Sequence, residues 1–275
     1  MIRINQLGFN YGNNVVLKDI TLNLEEGRIY GLLGENGVGK TTLLTILSGL
    51  KPAMNGTVEI DGRNPFKREP SLLSSIFYLP DEVLPKRRSA MAFARDMGQY
   101  WEKFSLEKFS EIMDVFETDA NQRMDQMSLG QLKKAYISFA LACNTDYLFM
   151  DEPTNGLDIP SKAQFRKAIS KYTFETATIV ISTHQARDLE AIIDPIIILD
   201  RKSVLLNAST AQISEKLYFD YGTQIDPDAL YSELIPGGCI QVTPNVSGTE
   251  SKVNIEALFN TVMKNKETIR EMFNK

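Results

Sequence analysis

The sequence predicts an α/β fold with a mostly parallel core sheet, an N-terminal antiparallel β subdomain and an inserted helical subdomain. A glycine-rich loop stands between a strand pattern and a helix pattern over residues 28–47. Short runs that are apolar on both faces recur along the chain, which is typical of buried parallel strands. Between residues 85 and 126 aromatic and methionine residues recur at helical spacing instead.

The strands are predicted in order from alternation, apolar runs and turn residues. The first two are separated by a turn at Gly12, and the third leads into the glycine-rich loop. The predicted strands are residues 2–9, 15–24, 28–33, 57–61, 75–79, 147–150, 178–182 and 196–199. Near the C-terminus we expect a strand at residues 239–243 and one helix at residues 254–273.

The insert between the core strands carries two apolar stripes at helical spacing. The first stripe is Phe93, Met97, Trp101 and Phe104, and the second is Phe109, Ile112, Met113 and Phe116. Helix packing explains such stripes more simply than a cofactor site does. We therefore expect two or three inserted helices, each with one buried face.

Composition indicates a globular protein that works inside the cell. The chain has 275 residues, of which 43% are hydrophobic and 24% charged. Its net charge of −5 argues against non-specific binding to nucleic acid. Cys143 and Cys239 lie far apart, which favours reduced thiols in the cytosol. We expect no signal peptide, and the apolar run at residues 192–199 is too short to span a bilayer.

The glycine-rich loop at residues 34–41 fits the phosphate-binding pattern G-x-x-x-x-G-K-[ST]. Its glycines let backbone N–H groups approach phosphates, which the start of the next helix also attracts. We expect Lys40 to reach the outer phosphates and the hydroxyl of Thr41 to bind Mg²⁺. The nucleotide-binding residues predicted here are Gly34, Asn36, Gly37, Gly39, Lys40, Thr41 and Thr42.

Two carboxylates and the only histidine follow buried strands. Asp151 and Glu152 come at the end of the strand at 147–150, and His184 follows the strand at 178–182. Ligands of parallel sheets bind beyond the carboxyl ends of the strands, so these side chains are expected at one rim. Asp151 is predicted to bind Mg²⁺, and Glu152 to activate water as general base. The alternative is a pair of solvated carboxylates in a turn.

These residues carry a family resemblance over about residues 1–210. Residues 151–158 (DEPTNGLD) resemble the Walker B and D-loop sequence of nucleotide-binding subunits of ATP-binding-cassette (ABC) transporters. Residues 127–131 (MSLGQ) resemble the signature motif of that family, and residues 182–184 (STH) resemble its H-loop. Tyr11 falls where the family stacks an aromatic ring on adenine. The motifs follow one another in the family's order.

The resemblance implies an ABC ATPase that uses ATP and Mg²⁺ and works as a homodimer or with a paired ABC subunit. Ser128, Leu129, Gly130 and Gln131 would then bind the γ-phosphate of ATP held by the opposite subunit, while His184 senses the γ-phosphate in its own site. The helical subdomain, at about 86–140, would dock on a separately encoded integral membrane permease. That arrangement places the chain in the cytoplasm, at the inner face of the cell membrane.

Two positions depart from the family pattern. Pro80 is followed by Asp81 where the family usually has a glutamine that touches Mg²⁺ and the attacking water. Asp81 is therefore kept as a third metal-binding candidate. Leu129 replaces the middle glycine of the usual signature. Since neither change affects Lys40, Glu152 or His184, we expect an active ATPase.

Two alternatives keep the cassette and drop its role in transport. A soluble ATP-driven clamp on nucleic acid or the ribosome usually has two cassettes or long heptad repeats, and the sequence has neither. A regulator that binds nucleotide and hydrolyses it weakly would fit Asp81. The single cassette without a fused membrane span favours an exporter. We expect the nucleotide-binding domain to cover residues 1–220, followed by a C-terminal extension, residues 221–275, without a recognisable motif.

Overall fold

The computed structural model describes residues 1–200 and 202–273. Its strands are β1 (Ile2–Tyr11), β2 (Asn14–Leu24), β3 (Ile29–Leu33), β4 (Asn55–Ile60), β5 (Ile76–Leu79), β6 (Tyr147–Asp151), β7 (Thr178–Thr183), β8 (Ile196–Asp200), β9 (Ser203–Ala208), β10 (Leu217–Gly222), β11 (Tyr231–Ile235) and β12 (Gly238–Pro244). Its helices are α1 (Lys40–Leu47), α2 (Pro70–Leu73), α3 (Ala90–Gly98), α4 (Leu106–Val115), α5 (Leu129–Ala142), α6 (Ile159–Tyr172), α7 (Thr210–Lys216), α8 (Ile255–Lys264) and α9 (Lys266–Phe273). Within these residues no helix is both long and apolar enough to cross a lipid bilayer.

The core sheet has the order β5-β6-β7-β3-β8-β9. Neighbouring strands from β5 to β8 are parallel, and β9 runs antiparallel to β8 at the edge. Every residue of β6 and β7 is buried, because layers cover both faces of the sheet. The predicted α/β class with a mostly parallel core is thereby confirmed.

The N-terminal sheet is antiparallel and has the order β2-β1-β4. Buried residues alternate with exposed ones at the start of β1, as expected for a sheet with one solvated face. The buried side chains Ile2 and Ile4 belong to an apolar layer that also contains Leu43 and Leu44 of α1. The predicted antiparallel subdomain is therefore present, and it covers the helix that follows the phosphate-binding loop.

Alternate side chains of the parallel core strands enter opposite apolar layers. In β6, Phe149 joins the layer beneath the N-terminal sheet, whereas Leu148 and Met150 join the layer that contains α3, α4 and α5. This alternation follows from the period of two in a strand. The core sheet is thus held on both faces, which fixes the positions of its strand ends.

The inserted helices pack around Phe139 of α5. Its ring lies 5.1–5.7 Å, between centroids, from the rings of Phe77, Phe93, Trp101 and Phe104. The prediction that residues 93–104 form one helix face is wrong, because α3 ends at Gly98. Phe104 folds back so closely that a Cβ on Gly98 would lie 2.2 Å from its ring. Trp101 and Phe104 therefore reach the core from a turn.

The C-terminal residues form a three-stranded antiparallel sheet of order β10-β12-β11, followed by α8 and α9. The single helix predicted over residues 254–273 is wrong, because Asn265 interrupts it with φ −123° and ψ 46°. The side-chain amide of Asn265 donates hydrogen bonds to the carbonyl oxygens of Leu230 and Thr261, at 2.8 and 3.1 Å. These bonds hold Asn265 outside the helical conformation, so α8 and α9 are two separate helices.

An ion pair fastens α9 to the core sheet. Lys266 Nζ lies 2.5 Å from Oδ2 of Asp200, a residue only 4% exposed at the end of β8. We expect Lys266→Met to lower the free energy of unfolding by about 2 kcal/mol, since a buried carboxylate then loses its charged donor. Urea denaturation measures the difference.

Lys252→Met is the matched control. Lys252 Nζ lies 3.2 Å from Glu190 Oε1, but the Lys252 side chain is 89% exposed. An exposed pair of this kind contributes about 0–1 kcal/mol. Equal losses in the two variants would show that the Lys266–Asp200 pair does not fasten the extension.

Candidate nucleotide-binding site

The register of three parallel strands brings the predicted site residues to one edge of the core sheet. Leu33 of β3 lies opposite Thr183 of β7, and Asp151 of β6 lies opposite Ser182. Gly34, Glu152 and His184 directly follow these strands and therefore leave the sheet side by side. This edge is where open parallel sheets bind ligands.

The phosphate-binding loop wraps around the start of α1. Gly39 has φ +111°, and a Cβ there would lie 2.8 Å from Leu17 Cδ2, so glycine is the residue that fits. No side chain caps the N-terminus of α1, which leaves its first N–H groups free to bind an anion. Lys40 is only 6% exposed, and its Nζ donates to the carbonyl oxygen of Gly34 at 2.8 Å.

The carboxylate of Glu152 contacts two other predicted catalytic residues. Its Oε1 lies 3.4 Å from Lys40 Nζ, and its Oε2 lies 2.9 Å from His184 Nδ1. Glu152 has φ +47°, a left-handed conformation that costs a non-glycine residue about 1–2 kcal/mol. Its N–H donates to both the carbonyl and the hydroxyl oxygen of Ser182, each at 3.1 Å, which holds this conformation.

Asp151 lies beneath this cluster and is almost fully buried, with 2% exposure. Its Oδ2 accepts a hydrogen bond from Thr41 Oγ1 at 2.5 Å, and its Oδ1 accepts one from the hydroxyl of Ser182. Carboxylate and hydroxyl oxygens are ligands that Mg²⁺ accepts together with water and phosphate oxygens. The donor set of Thr41 and Asp151 therefore fits the predicted metal.

Tyr78 of β5 is a further neighbour of this carboxylate. Its hydroxyl lies 3.5 Å from Asp151 Oδ2. Burial raises the pKa of Tyr78 well above its ordinary value, and the negative charge of Asp151 adds to the shift. Tyr78 thus stays protonated and remains a hydrogen-bond donor toward Asp151.

A cavity of about 370 Å³ opens over the loop. Such a volume is within the range of small-ligand sites. Its walls include most of the predicted nucleotide and metal ligands: Tyr11, Asn36, Gly37, Gly39, Lys40, Thr41, Thr42, Asp81, Asp151 and Glu152. Gly34 and His184 instead line a second cavity of about 450 Å³, which also reaches Glu256 and Phe259 of α8.

Tyr11 stands at the mouth of the first cavity with 48% of its surface exposed. Its hydroxyl accepts a hydrogen bond from Lys51 Nζ at 2.6 Å, and the same ammonium lies 4.4 Å from the ring centroid. The hydrogen bond from Lys51 lowers the pKa of the Tyr11 phenol. No motif indicates Lys51, which lies in a loop and meets Tyr11 only through the fold.

Asp81 lies on the cavity wall, but another residue holds its carboxylate. Its Oδ1 is 2.9 Å from Nζ of Lys133 on α5 and 3.4 Å from Asn155 Nδ2. Its role as a third metal ligand stays a prediction. Lys133 and Ser182 also contact the site, although no motif assigns a role to either side chain. Lys133 is part of a helix pattern, and Ser182 is the first residue of the segment that resembles the H-loop.

The signature segment lies apart from the phosphate-binding loop of the same chain. Ser128 caps α5, accepting from the N–H of Gln131, while the side chain of Gln131 accepts from the N–H of Ser128. Leu129 is 65% exposed, and Gly130 adjoins Gly156 rather than the loop. Ser128, Leu129, Gly130 and Gln131 are absent from the walls of both cavities described above.

Comparison with known proteins finds a matching family model and similar proteins. The family model described as ABC transporter matches residues 17–155. An uncharacterized ABC transporter ATP-binding protein of Methanocaldococcus jannaschii is 28% identical over 247 residues, 85% of this chain and 88% of that protein. A lantibiotic transport ATP-binding protein of Streptococcus pyogenes is 31% identical over 197 residues, 70% of this chain and 84% of that protein.

A solved structure shares the fold. It is a dimeric ATP-binding cassette in a post-hydrolysis state, bound to ADP and phosphate. It superimposes with a TM-score of 0.66 at 22% identity, covering 76% of this chain and 98% of the other.

The hydroxyl of Ser182 holds one oxygen of the buried Asp151 carboxylate. We expect Ser182→Ala to lower the free energy of unfolding by about 1–3 kcal/mol, because one oxygen of a buried carboxylate loses its donor. We also expect weaker stabilisation by Mg²⁺ with nucleotide, since Asp151 is no longer held in place. Urea denaturation with and without Mg²⁺ and ATP measures both effects.

Ser48→Ala is the control, because the buried hydroxyl of Ser48 donates to the carbonyl oxygen of Leu44 in α1, away from Asp151. If Ser48→Ala loses the same stabilisation by Mg²⁺ and ATP, the bond from Ser182 does not orient Asp151.

Proposed function

Because the chain belongs to the ABC transporter family, we propose that it binds ATP with Mg²⁺ and hydrolyses the ATP to power a membrane transporter. The observation that carries the proposal is the position of the Glu152 carboxylate between Lys40, at 3.4 Å, and His184, at 2.9 Å. A base, a phosphate-binding cation and an imidazole thus meet at the carboxyl ends of the core strands, beside a loop suited to phosphate.

Thr41 and Asp151 are the residues that would hold Mg²⁺. When bound, the ion would neutralise charge on the phosphate oxygens and fix their orientation. Ser182 and Tyr78 keep Asp151 in place from behind, which leaves the carboxylate directed toward Thr41.

The geometry supports a mechanism in which ATP binding releases Glu152 from its ion pair with Lys40. Lys40 forms an ion pair with the carboxylate of Glu152, and the phosphates of ATP would compete for the same ammonium. Once Lys40 binds phosphate, Glu152 is free to take a proton from water. The water oxygen then bonds to the γ-phosphorus, the bond to the β-phosphate oxygen breaks, and His184 donates a hydrogen bond to the γ-phosphate.

The complete site requires a second subunit in this proposal. Ser128, Leu129, Gly130 and Gln131 lie outside the two cavities described above, and the start of α5 is a suitable site for an anion on a facing surface. A second copy, or a paired ABC subunit, would supply the segment to each ATP. ATP would then favour the closed pair, because it contacts both subunits only there.

We propose that a separately encoded permease carries the transported substrate and that the segment between β5 and β6 contacts this permease. The helical subdomain, at about 86–140, would dock on that permease at the inner face of the cell membrane. Export is the direction of transport that we propose. Residues 1–220 would form the nucleotide-binding domain, with residues 221–275 as an extension of it.

One observation favours a second candidate, a regulator that binds nucleotide and hydrolyses little. Asp81, expected near Mg²⁺ and water, is instead paired with Lys133 at 2.9 Å. Steady-state turnover separates the two candidates. A rate no higher than that of Lys40→Ala would favour the regulator, and a higher rate the ATPase.

We expect Glu152→Gln to bind ATP with Mg²⁺, to accumulate as a dimer and to lose turnover, because the amide keeps the shape of the base but cannot accept a proton. Removal of a general base lowers turnover by about 10²–10⁴-fold. Size-exclusion chromatography and phosphate release provide the two measurements. A monomeric Glu152→Gln protein that still hydrolyses ATP contradicts the mechanism.

The permease assignment predicts that a helical-subdomain variant loses a membrane partner. Tyr100 follows α3 and is 63% exposed. We expect Tyr100→Glu to reduce co-purification of an integral membrane protein from solubilised membranes, because the charge opposes burial in an interface. Val246→Glu, at a position 94% exposed near the C-terminal sheet, is the control. Mass spectrometry that finds no membrane protein with the unaltered chain argues against a permease partner.

A further inference from the structure

Lys133 is a buried lysine whose ammonium is fully engaged. It is 3% exposed, in the second turn of α5. Its Nζ lies 2.9 Å from Asp81 Oδ1, 2.9 Å from the carbonyl oxygen of Glu152 and 3.0 Å from that of Asn155. A lysine ammonium has three donors, and here each has an acceptor. Burial of such a charge is costly unless it is paired and hydrogen-bonded in this way.

Two of the three acceptors are main-chain oxygens of the turn that carries the proposed base. The N–H of Asn155 donates to the carbonyl oxygen of Glu152 at 3.1 Å and closes this turn. Lys133 binds the same oxygen and the carbonyl oxygen of Asn155, so it connects the beginning and the end of the turn. Because Glu152 has φ +47°, its backbone needs such outside support to keep the left-handed conformation.

The same helix begins with the signature segment. Ser128 caps α5, and Lys133 lies five positions further along one continuous helix of 14 residues. A helix of this length moves as a rigid element, so a displacement at its N-terminus changes the position of Lys133 as well. The contacts of Lys133 therefore connect the surface that would bind ATP in trans with the base in the chain's own site.

We propose that Lys133 is a positioning residue, which orients the carboxylate of Glu152 through the main chain and couples it to the signature helix. The inference rests on the proposed ATPase function and deepens it. Lys133 itself does not line the cavity over the phosphate-binding loop. It contacts two residues of the cavity wall, Asp81 and Glu152, and acts on the reaction through Glu152. Lys133 also donates to Asp81, which follows the end of β5, so this strand end is connected to the signature helix as well.

Lys133→Met is the first test, with Lys134→Met as the matched control on the same helix. Lys134 Nζ bonds to the carbonyl oxygen of Phe116 at 3.2 Å, away from the turn at Glu152. We expect Lys133→Met to lower kcat by about 100-fold, the effect of a small misplacement of a catalytic group, while the Kd for ATP changes by less than about threefold. Lys134→Met should leave both values near those of the unaltered chain.

A double variant distinguishes positioning from a loss of structure. If Lys133 acts through Glu152, adding Lys133→Met to Glu152→Gln lowers the residual single-turnover rate by less than about threefold. If Lys133 only stabilised the fold, Lys133→Met would lower the rate by the same factor in the unaltered chain and in Glu152→Gln. Equal factors, or full turnover in Lys133→Met alone, would overturn the proposal.

Hydrogen exchange tests the contact without relying on turnover. The amide of Asn155 should exchange faster in Lys133→Met than in Lys134→Met, because the carbonyl oxygens of its turn lose their shared donor. Unchanged exchange would overturn the inference even if the unaltered chain hydrolysed no ATP, a result that by itself contradicts only the proposed function. If Lys133→Met does not fold, Lys133→Gln, which keeps a donor without the charge, is measured in the same ways.

Discussion

The parallel pairing of β3, β6 and β7 is the constraint on which the candidate site depends. Leu33, Asp151 and the pair Ser182 and Thr183 lie in register, so the residues that follow these strands leave the sheet at one edge. A shift by one residue would turn every side chain of a strand to the opposite face. The two apolar layers exclude that shift, because each receives the alternate side chains of β6.

Charge at this edge is compensated by neighbouring elements rather than by solvent. Buried Asp151 receives hydrogen bonds from Thr41 and Ser182, and Glu152 lies between Lys40 and His184. The left-handed backbone at Glu152 is one local cost of the arrangement. Residues in sparsely populated conformations persist where the surrounding structure determines them, often at functional sites. Here Ser182 of β7 accepts from the N–H of Glu152, and Lys133 of α5 donates to its carbonyl oxygen. These two elements lie far apart in the sequence.

Local patterns were sufficient where local chemistry decides the structure. The glycine loop, the carboxylates at the end of β6 and the histidine after β7 could be predicted, because each lies at the end of a buried strand. The turn at Gly98 and the break at Asn265 could not be predicted from periodicity. Phe104 folds onto Gly98, and Asn265 bonds to Leu230, so both departures depend on residues outside the helix pattern.

The sequence alone determined the α/β class, the phosphate-binding loop and the set of residues expected at the sheet edge, since these follow from short motifs and strand patterns. Only the tertiary structure decided what surrounds them. Lys51 reaches Tyr11 across 40 positions, and Lys133 reaches Asp81 across 52. Contacts between residues so far apart in the sequence are set by packing of the sheet and helices, which a local pattern does not encode.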